Sequence, residues 1–182
     1  MCKLLFNSDF CFCSQNPEDF GMFFQWNRKK AWNAVDRYVE DWDNSIPDGK
    51  TWKKENDPCP TGWRVPTAME LRSLNRAGSR WTTQNGVYGR LFGRAPNQIF
   101  LPATGWRIGD VGRIVHIGDW GLYWSSDGVL IYEARNRPFD IWCLLNGGQR
   151  AMYLLFGSTY TFSDLNVTNE RTGALPIRCV AK

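Results

Sequence analysis

Six cysteines and one histidine are the side chains with which this chain of 182 residues can do covalent or metal chemistry: Cys2, Cys11, Cys13, Cys59, Cys143, Cys179 and His116. No two cysteines form a Cys-x-x-Cys pair, and a single histidine leaves only cysteine combinations for a four-ligand zinc site. A Cys-His nucleophile using His116 would have to be assembled by the fold; an exposed or hydrogen-bonded side chain in a Gly-rich loop is the plainer role. Carboxylates gather at Gln15-Asn-Pro-Glu-Asp19 and Glu40-Asp-Trp-Asp43, which read as a solvated loop and helix end. Calcium needs about six to eight convergent oxygens, so we expect neither a metal nor another cofactor.

Cys59 lies in a Pro-flanked turn and Cys179 in the last apparent strand, 120 residues further on. A bond between them would close almost the whole domain and stabilise it by roughly 4 to 5 kcal/mol in the chain-entropy view, as suits an oxidising compartment. Two buried free thiols fit the same spacing.

The other distinctive residue is tryptophan, of which there are ten. Each offers a large stiff apolar ring and one N–H that wants a partner, so some should fill a core and others should bind. Trp26, Trp32, Trp42, Trp63 and Trp124 read as core. Trp120, between Asp119 and Gly121, has little local packing to bury it and reads as a binding hot spot.

The elements that must position these residues begin with composition. At 43% hydrophobic and 22% charged, the chain lacks the signature of disorder, and its length suits one domain. The apolar runs are too short to cross a bilayer. The +4 net charge is scattered apart from Arg28-Lys29-Lys30 and Lys53-Lys54, so no nucleic-acid partner is expected. The N-terminus makes a poor export signal, because Leu4 to Phe6 is followed at once by Asn7, Ser8 and Asp9.

Residues 1 to 19 read as an N-terminal extension and 20 to 182 as the domain. Gly21 to Trp26 is strand-like. Trp32, Val35, Val39 and Trp42 fall on one helical face and predict a short helix from Ala31 to Trp42. Thr67 and Glu70 form a capping box that opens a helix over 68 to 77, which Gly78 stops. After Gly78, strand-like runs follow at Gln98 to Pro102, Gly121 to Ser126, Leu130 to Glu133, Ile141 to Leu145, Tyr153 to Phe156 and Pro176 to Ala181. Helices first and strands later predict an α+β domain.

Three ordered stretches carry a resemblance: Asp57-Pro-Cys-Pro-Thr-Gly-Trp-Arg-Val-Pro-Thr67; Gln98-Ile-Phe-Leu-Pro-Ala103 with Gly105; and Tyr123-Trp-Ser-Ser126 with the closing Ile177-Arg-Cys-Val180. From about Phe20 onward the chain resembles the Fibrobacter succinogenes major paralogous domain of bacterial surface and fimbrial-tip proteins, and the variable proteins of diversity-generating retroelements. The resemblance implies a C-type-lectin-like fold of two helices, small twisted antiparallel sheets and long loops. It implies a non-catalytic, receptor-binding role at a cell surface or virion, with Cys59 and Cys179 close together. The expected partner is a protein or glycan receptor on another cell or surface. The chain departs from the pattern between Ser126 and Ala151, where it carries extra residues including Trp142 and Cys143. Gly62-Trp-Arg-Val-Pro-Thr67 is also similar to formylglycine-generating enzymes, whose oxidoreductase chemistry needs reactive cysteines.

The expected binding face takes residues from three stretches. Asp119, Trp120 and Leu122 come from the Gly-rich segment, and Trp142 from the extra residues. Met152, Tyr153 and Leu155 come from an alternating strand; the resemblance, through its pattern Ala-x-x-Leu-x-Phe, implies that Leu154 and Phe156 lie in the core, which turns Tyr153 and Leu155 outward. Tyr160, Phe162, Asn166 and Asn169 come from a polar loop of the residue types that paratopes favour. Trp52, Trp81 and Trp106 stay unassigned.

Overall fold

The computed structural model describes residues 16–129, 150–162 and 168–182. Its fold corrects the α+β, two-helix expectation: the described residues form four antiparallel sheets with one α-helix. That helix, α1 (Ala68–Arg76), begins where the sequence places it. Thr67 caps it by accepting from the Glu70 backbone N–H, while the Glu70 carboxylate returns to the Thr67 N–H, and Gly78 leaves it at φ +83°.

The second expected helix is absent for a local reason. β1 (Phe23–Gln25) pairs with β2 (Ala31–Trp32), and then the Asn33 side-chain oxygen accepts from the backbone N–H groups of Val35 and Asp36 at 3.0 and 2.9 Å. That turn takes the donors a helix would have used. Arg107, fully buried, fixes it by donating to the carbonyls of Asn33 and Asp36, both at 2.8 Å, and of Gly112 at 2.6 Å. The apolar spacing serves packing instead: Trp32 and Trp42 meet at 5.0 Å with their planes tilted by 40°, while Val35 stands 87% exposed.

β1 is part of a five-stranded sheet, ordered β2-β1-β13-β7-β8, with β7 (Trp106–Arg107), β8 (Ile114–Val115) and β13 (Ala174–Pro176). The centre of the molecule is the pair β9 (Gly121–Val129) and β10 (Arg150–Phe156), with β11 (Thr161–Phe162) and β12 (Thr168–Glu170) on the other edge of β10. A third sheet is the meander β4 (Ser79–Gln84), β5 (Val87–Arg94) and β6 (Asn97–Pro102). Its first turn is Asn85-Gly86, both at positive φ, as a two-residue hairpin requires. β3 (Trp63–Arg64) pairs with β14 (Val180–Ala181), so the expected single strand from Pro176 to Ala181 is two strands in different sheets.

Both faces of the β9–β10 pair are covered, so alternation sorts residues between two cores. Leu122, Trp124 and Ala151 join Trp26, Trp52, Val65 and Leu175 on one side, whereas Tyr123, Leu154 and Phe156 join Leu71, Phe92 and Leu101 on the other. Burying each such large side chain stabilises by about 1.5 to 3 kcal/mol. Of the five tryptophans expected inside, Trp26, Trp32 and Trp124 are buried and Trp42 is half-buried. Trp63, at 37%, is exposed: it sits on the two-stranded sheet at the molecule's margin. Trp52, unassigned from sequence, belongs to the core and donates its indole N–H to Asn56 O at 2.9 Å.

Cys59 and Cys179 are joined by a disulfide, with their Cα atoms 5.9 Å apart. It ties the turn before α1 to the residue that leads into the terminal strand β14. Arg171, also fully buried, lies 4.0 Å over the Trp26 ring and donates to Pro47 O at 2.7 Å and Arg150 O at 3.1 Å. Burial pulls its guanidinium down to about 10, so it stays charged at neutral pH. Backbone carbonyls thus compensate both of these fully buried arginines.

Candidate ligand-binding face

The site is built where the ends of two sheets meet. Trp106 on β7 pairs with Val115 on β8, which places His116 at the start of a tight turn running to Trp120. The His116 carbonyl accepts from Asp119 N at 3.2 Å and Trp120 N at 3.3 Å, and His116 itself adopts φ +57°. Gly105 locks the turn from behind by donating to Trp120 O at 2.7 Å. Only glycine fits there: its φ is +65°, and a Cβ would collide with the Val115 carbonyl oxygen.

Three rings are stacked as a result. Trp106 and His116 lie 4.9 Å apart at 9°, His116 and Trp120 4.9 Å apart at 13°, and Trp106 and Trp120 5.5 Å apart at 17°. Tyr160 meets Trp120 edge-on at 6.2 Å and 78°. It arrives from the turn after β10, where Gly157 N donates to Tyr160 O at 3.0 Å and Arg90 grips the carbonyls of Gly157 and Ser158 at 2.9 and 3.1 Å. His116 and Asp119 are exposed, while Trp106, Trp120 and Tyr160 are half-buried. Offset and edge-on contacts of this kind each add about 0.5 to 1.5 kcal/mol beyond area burial.

Of the residues expected at the binding face, the structure sets Tyr160 against Trp120, with Asp119 adjacent in the turn, and Trp106 and His116 join them. It corrects the view of Trp120 as a ring without packing, since it stacks on two neighbours and rests against the first core. Leu122 is 2% exposed and belongs to that core, so it offers no surface. Tyr153 and Leu155 do share a face, but it is the one bearing Trp124 and Leu122, and both are half-buried against the core. Tyr153 meets Trp124 edge-on at 6.1 Å. Met152 is half-buried, and its carbonyl accepts from Ser125 Oγ. The Phe162 backbone pairs with Leu155 and that of Asn169 with Ala151. Trp142 and Asn166 lie outside the described residues.

Burial pushes the Tyr153 phenol up to about 12 and raises that of Tyr160, so both keep their protons at neutral pH. Among the described residues no group of three or more His, Cys, Asp or Glu side chains is placed to hold a metal. No described helix is long and apolar enough to cross a membrane. The signal that sequence reading missed was Gly105-Trp106, which opens the hairpin that returns His116 to the two tryptophans. No family model, curated protein or solved structure matches the chain.

Proposed function

We propose that this protein is a non-catalytic ligand-binding module of the adhesin type, displayed outside the cell or on a virion, whose receptor docks on the face formed by Trp106, His116, Trp120 and Tyr160. The observation that carries this reading is the stack itself: three parallel rings and a fourth set edge-on, held at the surface beside an exposed carboxylate. Rigid aromatic side chains bury large area with few rotors to freeze, which is what a binding hot spot requires. The disulfide supports an oxidising location. It also engages Cys179, one of the thiols that a formylglycine-generating type of chemistry would have drawn on.

Binding of the wild-type chain to immobilised cell-surface fractions tests the proposal. Tyr160→Ala and His116→Ala are expected to weaken retention while remaining folded, with His116→Ala melting lower for the two stacked contacts it loses. Equal retention of all three proteins counts against this face. A near-copy of the 3′ end of the gene that differs only at adenines, beside a reverse-transcriptase gene, would mark the face as a diversified one; without it the reading is an ordinary fimbrial-tip or surface module.

A further inference from the structure

We infer that the ligand of this face is a carbohydrate, with a pyranose ring laid flat against the stacked rings; the inference rests on the reading of the face as a binding surface. Three features of the face point to a sugar.

The first is shape. A hot spot made for a protein partner projects a side chain into a pocket of that partner. Here Trp106, Trp120 and Tyr160 are all half-buried, with Trp106 stacked on Trp120 and Tyr160 edge-on to Trp120, so they offer a surface rather than a knob. A pyranose presents axial C–H groups on its flat faces, and these pack on aromatic rings by dispersion and by attraction to the negative ring face.

The second is the margin. Asp119 stands exposed next to Trp120, and Ser158 and Thr159 stand exposed in the turn that carries Tyr160. Short carboxylate and hydroxyl side chains around an aromatic floor match the equatorial hydroxyls around a sugar ring. They orient the ligand by direct or water-bridged hydrogen bonds.

The third is rigidity. The floor is held from behind by Gly105 N to Trp120 O, and the Tyr160 turn by Arg90. A small ligand contributes few contacts and cannot also pay to order loops, so a site that is already ordered favours one.

The experiment presents the full chain with immobilised neutral oligosaccharides ending in glucose, galactose, mannose or N-acetylglucosamine. In parallel it presents cell-surface fractions oxidised with periodate or digested with protease. The account expects retention on at least one sugar class, a change in tryptophan fluorescence, and about tenfold weaker binding by Trp120→Leu, the size of one lost aromatic contact. Asp119→Asn should shift the preference among sugars, and binding to the fractions should fall with periodate and survive protease. No sugar retention, or retention equal in wild type and Trp120→Leu, overturns the inference. Binding to the fractions that resists periodate, fails after protease and is lost in Trp120→Leu assigns the face to a protein, which overturns the sugar while leaving the face. Binding to the fractions unchanged by Trp120→Leu overturns both.

Discussion

Trp26 and Trp124 cross-brace the core through their indole N–H groups: Trp26 donates to the Ser125 carbonyl at 3.0 Å, and Trp124 donates to the Phe24 carbonyl at 2.8 Å. Each ring is fully buried; the Trp26 bond reaches β9, which carries Trp124, and the Trp124 bond reaches β1, which ends one residue before Trp26. The five-stranded sheet and the β9–β10 sheet are thereby fastened together, and β9 opens directly after Trp120.

Replacing Trp124 by Phe removes the donor to Phe24 O and leaves part of the indole volume empty. A lost buried hydrogen bond and a small cavity together should cost about 2 to 4 kcal/mol. Urea denaturation should show a lower midpoint with an unchanged slope.

The Cys59–Cys179 bond spans 120 residues. Breaking it, by reduction or by the double substitution of both cysteines to Ser, should cost about 2 to 5 kcal/mol. A clear fall in melting temperature on reduction checks this, together with a cross-linked peptide in an unreduced digest.

Arg64 donates to both Glu70 carboxylate oxygens, at 2.7 and 2.8 Å, and with the capping bonds to Thr67 it holds the Glu70 carboxyl down, from 4.5 to about 2. A depressed folded value means that this contribution is fully present above pH 4.5 and is lost as the pH falls towards about 2. Because both side chains are partly exposed, at 35% and 39%, solvent screening limits it to about 1 kcal/mol. Glu70→Gln should lower stability by about 1 kcal/mol above pH 4.5, flatten the profile through the acid window, and differ little from wild type near pH 2.

Gly105→Ala forces a Cβ against the Val115 carbonyl at a positive φ. The turn from His116 to Trp120 must then shift. Stability should drop by about 1 to 3 kcal/mol, and receptor binding should weaken although no contact side chain has changed.

Local signals were the most legible part of the sequence. The Thr67–Glu70 capping box and Gly78 stop stand as read, because all their partners lie within a few residues. The Asn85-Gly86 hairpin was equally local, yet its flanks, Arg80, Thr82 and Gln84 among them, lack the apolar run that marks a strand. The helix read from Ala31 to Trp42 failed because apolar spacing does not reveal that Asn33 captures the backbone donors, nor that Arg107, far along the chain, holds the turn. The same distance hid half of the site. Trp120 and Tyr160 carry signals of their own, whereas the roles of Trp106 and His116 exist only once β7 and β8 pair.

The most direct test of the aromatic face compares wild type, Trp120→Leu and Tyr88→Ala for retention on immobilised cell-surface fractions, with melting followed in parallel. Tyr88 stacks on Trp81 at 6.2 Å, in the separate meander sheet, so it reports the loss of an aromatic contact away from the site. Trp120→Leu keeps apolar packing on the core but loses the stack, and it should melt slightly lower. The account predicts that Trp120→Leu remains folded and loses retention about tenfold or more, while Tyr88→Ala binds as wild type does. A folded Trp120→Leu that binds as well as wild type would contradict it.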